Sequence, residues 1–177
     1  MDKKVILMVD DDEDVLTPSQ AILESAGYEV VISFDKDEAL EKLKKVIPNL
    51  IISDVMMRTH YEGFEFAKEI TTNPDLKNVP IIIQSGIEVL TTTNPSLQQM
   101  VHEVRKSEDV QRVANEYRND PNYREMKVLL IKDNNTGLAG VDYLNENGNN
   151  VWLNVNDFLA KPVEAKKLLE TVERNIK

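Results

Sequence analysis

An open, doubly wound α/β sheet is the fold class this sequence predicts, on three observations. Short apolar runs alternate with segments of helical period from the start of the chain to about Gln84, the same strand-then-helix pair returns over 157–176, and chemically distinctive residues stand where the runs end. Those residues are Asp10 and Asp11 after Val5 to Val9, Asp54 after Leu50 to Ser53, Ser85 after Ile81 to Gln84, and Lys161 after Phe158 to Ala160. In such a sheet the loops at the carboxyl ends of the strands converge on one crevice, so residues distant in sequence meet there.

Each element has its own signal. Lys4 to Val9 is a short apolar run ending in acids, suited to a strand buried on both faces. The helix after it carries Val15, Leu16, Ser19, Leu23 and Ala26 at helical spacing, with Pro18 expected in the first turn, where proline is tolerated, and Gly27 as its cap. Tyr28 to Phe34 reads as the second strand. Asp35 then opens a helix as N-cap, with Glu38 three positions on as in a capping box, and Ala39, Leu40, Leu43 and Val46 turned toward the sheet. Pro48-Asn49 breaks the chain before a third strand, Leu50 to Val55, and Gly63 to Thr72 forms the third helix with Phe64, Ala67 and Ile70 on one side. Pro80 starts the fourth strand. Asp157 to Ala160 is a brief last strand, and Val163 to Ile176 a closing helix with Leu168, Leu169, Val172 and Ile176 on its buried stripe. Strict alternation implies right-handed crossovers, and five such units fit a flavodoxin-like parallel sheet of order 2-1-3-4-5.

The stretch from Ser85 to Lys161 breaks this plan. One helical crossover between parallel strands needs roughly a dozen to twenty residues, so about fifty are extra. The expectation is one domain over 1–177, with 88–150 as an insertion replacing the fourth-helix region. Within it, Asn94-Pro95 reads as an N-cap followed by proline at the first helical position. Leu97, Met100, Val101, Val104, Val110, Val113, Ala114 and Tyr117 continue as one long helix or two. Asp120-Pro121 ends that stretch. Met126 to Ile131 and Leu138 to Leu144 read as strands joined by the turn Asp133-Asn134-Asn135-Thr136-Gly137, and Asn145 to Asn150 as a loop. Trp152, the only Trp, falls where the insertion rejoins the fold as a candidate anchor.

Composition bounds the function. At 177 residues the chain can bury a proper core, and no apolar run is long enough to span a bilayer. The start, Met1-Asp2-Lys3-Lys4, leads into an apolar run too short for a signal peptide, so a cytoplasmic location is expected. Zero cysteines exclude disulfides and thiolate metal sites. With 31 acidic against 21 basic residues, the net charge of −10 disfavours nucleic acid as a partner.

The strand-end residues carry phosphoryl-transfer chemistry. A carboxylate can attack a phosphoryl group to give an acyl phosphate, provided positive charge offsets the repulsion between two anions. Magnesium suits that role as a hard ion held by one or two carboxylates, waters and phosphate oxygens. Asp11 and Asp54 fit as direct ligands, Asp10 acts mainly through water, and clustered carboxylates themselves call for a cation. Lys161 offers a flexible point charge for phosphoryl oxygens, and Ser85 a hydroxyl donor. Each signal alone has a plainer reading. The run Asp10 to Asp14 suits a solvated first helical turn, Asp54 a cap, Lys161-Pro162 a surface turn. Their coincidence in order is what points to a site.

That order, two acids, a lone Asp, a hydroxyl and a Lys-Pro, resembles the receiver domain of bacterial two-component response regulators across roughly 1–87 and 150–177. The resemblance implies that Asp54 accepts a phosphoryl group from a sensor histidine kinase or phosphotransfer protein, with Mg2+ held by Asp10, Asp11, Asp54 and the backbone carbonyl of Met56. It also implies that Ser85 and Lys161 reposition on phosphorylation while Phe158 turns inward as the switch, and that Lys161-Pro162 is a cis peptide. Self-phosphorylation and autodephosphorylation are the only catalysis such a module performs.

Two departures stand out. Family members usually carry a Pro four residues after the acceptor and a Gly eight after it; here Arg58 replaces the Pro and Gly63 comes nine after, so the loop Arg58 to Glu62 is one residue longer. Ile87 is apolar where many receivers have a polar residue, and His60 in the loop receives no role.

Three functions compete. The first is a stand-alone receiver that switches a contact with an unknown output protein, since no effector segment follows Ile176, with the insertion as a partner surface or homodimer interface. The second is a scaffold that signals through the insertion regardless of phosphorylation. The third is a haloacid-dehalogenase-like phosphatase using Asp10, Asp12 and Asp14, against which no Thr follows at the expected place.

Overall fold

The structure, a computed structural model, describes residues 3–58, 62–92, 128–134, 136–145, 147 and 149–177. Strands β1 (Val5–Val9), β2 (Glu29–Ser33), β3 (Leu50–Asp54), β4 (Ile81–Ser85) and β9 (Asp157–Ala160) form one parallel sheet. Its order is β2-β1-β3-β4-β9, which is the flavodoxin-like arrangement expected from the alternation. Helices α1 (Glu13–Ser25), α2 (Lys36–Leu43), α3 (Glu62–Thr72) and α4 (Ala165–Asn175) accompany it. β3 and β4 are buried at every position, as central strands covered on both faces must be.

Local chemistry fixes the elements. Asp12 caps α1 by accepting from the Asp14 N–H at 2.9 Å. The helix ends in a Schellman motif: Gly27 N–H reaches Glu24 C=O, Tyr28 N–H reaches Leu23 C=O, and Gly27 takes φ +96. Asp35 caps α2 through the Glu38 N–H at 2.8 Å, and Glu38 answers by accepting from Phe34 N–H at 2.8 Å. Ile6, Met8, Leu50, Ile52 and Ile82 of the sheet pack with Leu16 and Leu23 of α1 and Leu168 and Val172 of α4 into one core.

Two local expectations fail. Because α1 starts at Glu13, Pro18 sits in its second turn, on the exposed face, rather than in the first. Val46 is 44% exposed instead of facing the sheet, because α2 stops at Leu43.

The remaining strands form a separate sheet of order β5-β6-β7-β8, from β5 (Val89–Thr92), β6 (Val128–Asp133), β7 (Ala139–Leu144) and β8 (Asn150–Val155). β6 and β7 are the antiparallel hairpin the sequence suggests, with Gly137 at φ +73 and its N–H bonded to Asp133 C=O at 2.8 Å. β5, which runs parallel to β6, and β8 are strands beyond those the sequence predicts. The chain thus falls into two compact units, Met1–Gly86 with Val155–Lys177, and Ile87–Asn154. The Asn94-Pro95 cap, the Leu97 to Tyr117 stripe, Asp120-Pro121, Met126 and His60 lie outside the described residues. Among the described residues no helix is long and apolar enough to cross a membrane.

Candidate functional site

Register builds the site. Val9 pairs with Ser53 and Asp54 with Gln84, so one step further along β1 sets Asp10 beside Asp54 at the carboxyl ends of adjacent strands. Asp11 is the next residue. One carboxylate oxygen from each of Asp10, Asp11 and Asp54 lies within 4.8 Å of the others, with Asp10 and Asp54 buried and Asp11 exposed. Lys161, just past β9, brings its ammonium between them: Nζ is 2.8 Å from Asp10 Oδ2 and 3.1 Å from Asp54 Oδ1.

The surroundings hold these groups in place. Lys161 N–H donates to Ser85 C=O at 2.9 Å, extending the β4–β9 ladder by one residue and fixing where the side chain departs. Lys161-Pro162 is cis. Asp10 N–H donates to Ser33 C=O at 3.1 Å, and Asp12 N–H to Asp10 Oδ1 at 2.9 Å. Gly63 packs against the end of β3, its N–H on Val55 C=O at 3.1 Å, with no room for a β-carbon: one there would stand 2.0 Å from the Asp54 carbonyl oxygen.

Electrostatics follow from burial and neighbours. Burial pushes the Asp54 carboxyl up to about 6; the Lys161 charge pulls it down and the Asp10 charge pushes it further up. Burial works against the charge on Lys161, but its hydrogen bond to Asp10 and the charges of Asp54 and Asp10 prevail and raise its pKa. Among the described residues, one ammonium thus stands with three carboxylates. A hard dication with oxygen ligands fits the negative charge left over, and the donor set is the kind magnesium takes.

The other candidates are placed less fully. Ser85 is buried at the end of β4, in register with Ala160. Phe158 is half-buried in β9 beside Ile83, and Met56, two residues past Asp54, is 42% exposed. Arg58, where the resemblance leads one to expect a Pro, pairs with Asp35 Oδ2 at 2.6 Å, while Glu62 accepts from Lys36 N–H at 3.1 Å and Lys36 Nζ meets Glu69 at 2.9 Å. The two described ends of that longer loop are therefore fastened to the start of α2.

Sequence reasoning passes over Gln84. It is 1% exposed, and its Nε2 donates to Asp10 Oδ2 at 3.3 Å. The one signal in the sequence is an amide closing an otherwise apolar buried run, Ile81 to Ile83.

Comparison with known proteins gives a consistent picture. A family model described as the response regulator receiver domain matches residues 6–118. The chain is 43% identical over 70 residues to the alkaline phosphatase synthesis transcriptional regulatory protein PhoP of Bacillus subtilis, covering 40% of this chain and 28% of PhoP. It is 28% identical over 81 residues to protein PilG of Pseudomonas aeruginosa, covering 46% of this chain and 59% of PilG. The chain thus spans less than two thirds of either relative. In fold it matches the chemotaxis response regulator CheY4 of Vibrio cholerae, with TM-score 0.57 and 24% identity over 99% of this chain and 100% of that one. It also matches the receiver domain of a sensor histidine kinase from Pseudomonas aeruginosa, with TM-score 0.56 and 19% identity over 98% of each chain; that structure has a magnesium ion coordinated in its active site cleft.

Proposed function

The chain belongs to the response regulator receiver domain family, and from that premise we propose that Asp54 is the phosphoryl acceptor of a signalling switch that takes its phosphoryl group from a histidine kinase or phosphotransfer protein. The observation that carries this is the meeting of Asp10, Asp11 and Asp54 with Lys161 at the carboxyl edge of the sheet. Receiver domains are signalling modules rather than enzymes of metabolism.

In the proposed step an Asp54 carboxylate oxygen displaces the imidazole nitrogen of a phosphohistidine from phosphorus. The O–P bond forms as the N–P bond breaks, leaving an acyl phosphate and free imidazole. Asp10, Asp11, Asp54 and the Met56 carbonyl would hold Mg2+, which when bound offsets the repulsion between the anionic nucleophile and the phosphoryl oxygens. Lys161 already touches Asp54 Oδ1 and is placed to follow the charge onto the new phosphoryl group. Ser85, one residue beyond the register partner of Asp54, supplies the hydroxyl, and Phe158 three residues before Lys161 reports the change.

Output in this reading is a protein contact made in the cytoplasm. The four-stranded unit within Ile87–Asn154 is the natural candidate surface, for an output protein or a second copy, because it is built beyond what the five-stranded sheet needs. A scaffold acting through this unit without phosphorylation is the second reading. Incubation with acetyl phosphate and Mg2+, followed by intact-mass measurement, distinguishes them: the receiver gains one phosphoryl group and Asp54→Asn gains none, whereas a pure scaffold gains none in either form.

A further inference from the structure

Gln84 lies in β4, between Asp54 on β3 and Leu159 on β9, directly after the apolar run Ile81 to Ile83. Its amide is buried, and Oε1 has no hydrogen-bond partner among the described residues. An orphaned buried acceptor costs stability that Leu or Met would not, so packing alone does not account for glutamine here.

What the amide does instead is visible at Asp10. Asp10 Oδ1 is held by the Asp12 N–H at 2.9 Å, whereas Oδ2 is shared by Lys161 Nζ at 2.8 Å and Gln84 Nε2 at 3.3 Å. Turning the amide over would set its oxygen against a carboxylate, so the donor orientation is the one this pair permits. The two donors to Oδ2 differ in kind. Lys161 is a flexible cation, its side chain 25% exposed and shared with Asp54, while Gln84 is walled into a central strand.

We propose that Gln84 is a positioning residue for Asp10: a fixed neutral donor that keeps the carboxylate aimed at the cation site when Lys161 leaves Oδ2 for the phosphoryl group. This rests on the receiver reading and assigns a role to a position that the phosphoryl-transfer set does not include. Through Asp10, Gln84 sets how tightly the site holds Mg2+ and how much that affinity depends on Lys161.

Calorimetric titration of the full chain with MgCl2 tests this in four proteins: wild type, Gln84→Met, Lys161→Ala and the double variant. Gln84→Met should weaken Mg2+ binding about three- to tenfold, the effect of losing one hydrogen bond to a ligand. Its unfolding midpoint in chelator should be unchanged or higher. In the Lys161→Ala background the same substitution should weaken binding by a larger factor, because the amide is then the last side-chain donor to Oδ2 among the described residues. Gln84→Leu controls for shape and should match Gln84→Met. The proposal is overturned if Gln84→Met binds Mg2+ as tightly as wild type, if the step is equal in the two backgrounds, or if only one of the two isosteres weakens binding. Wild type that fails to bind Mg2+ would instead remove the receiver reading beneath it.

Discussion

The backbone of Gly63 lies so close to Asp54 that a β-carbon at Gly63 would stand 2.0 Å from the Asp54 carbonyl oxygen and 2.7 Å from Val55 Cα. Both obstacles are main chain, which cannot swing aside. Gly63→Ala should therefore displace the backbone after Asp54 and destabilise the fold by about 1–3 kcal/mol, the range for overpacking. That corresponds to a fall of roughly 3–10 °C in Tm for a chain of this size. Gly86→Ala, where a β-carbon meets nothing within 4 Å among the described residues, should leave Tm unchanged, and differential scanning calorimetry on the pair checks both.

Asp54 carries a cost at neutral pH. Its carboxyl is raised from 3.8 to about 6 by burial, with Asp10 adding to the rise, so the folded state binds the proton more tightly than the unfolded state does. For a raised acid the sign is negative: stability declines as pH climbs from about 4 to about 6, and the full cost stands above that window. Asp54→Asn should accordingly stabilise the chain in chelator at pH 7.5 by about 2–3 kcal/mol, since each tenfold change in proton affinity is worth about 1.4 kcal/mol. The gain should shrink below about 1 kcal/mol at pH 4. Urea unfolding of both proteins at the two pH values reads the difference directly, and an equal gain at both would exclude this origin.

Lys161 is the counter-charge to two buried carboxylates, at 2.8 Å from Asp10 and 3.1 Å from Asp54. Removing one partner of a buried pair leaves the other uncompensated and costs about 3–5 kcal/mol. Exposure of part of the Lys161 side chain places this case at the lower end. Lys161→Met in chelator should thus lose about 3 kcal/mol. Saturating Mg2+ should recover more stability in Lys161→Met than it adds to wild type, because a dication supplies the missing charge. Thermal melts of both proteins with and without Mg2+ measure the four numbers.

Strand-end chemistry makes much of this legible from sequence. Asp10, Asp11, Asp54 and Lys161 are identifiable because acids and a Lys-Pro after apolar runs have no role inside a strand, and the parallel sheet of order β2-β1-β3-β4-β9 brings them together. Gln84 is not identifiable, since an amide at the end of an apolar run reads as the run's polar terminus until register sets it beside Asp54. β5 and β8 escape for another reason. Val89–Thr92 follows Gly86 too closely to stand apart from β4, and Asn150–Val155 begins in an Asn/Gly-rich segment that propensity assigns to loop; partners on β6 and β7 decide both. Arg58 reads as a substitution for Pro, and only the fold reveals Asp35 across from it.

Within the four-stranded sheet, Gly140 makes room for Trp152, whose ring atoms would stand 2.2 Å from a β-carbon at Gly140. The indole N–H donates to Asn154 Oδ1 at 2.9 Å. Gly140→Ala must push the ring out of this position. As the chain has a single Trp, its emission reports on that unit alone. The expected result is a red shift of the emission maximum with the far-UV signal of the five-stranded sheet retained.

Every strand of the five-stranded sheet finds its partners within Met1–Gly86 and Val155–Lys177, and β4 and β9 are already adjacent and parallel. A parallel pair needs only a crossover of about a dozen residues or more, preferably helical. Replacing 87–154 with a helix-forming linker of about fifteen to twenty residues should leave a folded chain, because loop-closure entropy changes by only ~1 kcal/mol over such differences in length. The acid cluster and Lys161 lie wholly in the retained part, so acetyl phosphate and Mg2+ should still add one phosphoryl group to the shortened protein, and none once Asp54 is Asn. If the shortened chain folds, by circular dichroism and a cooperative melt, yet takes no phosphoryl group, the four-stranded unit is part of the acceptor machinery rather than an addition to it. If it takes the group as readily as the full chain, the unit is dispensable for phosphoryl transfer, and pull-downs with the phosphorylated full chain against the shortened one test whether the unit makes a protein contact.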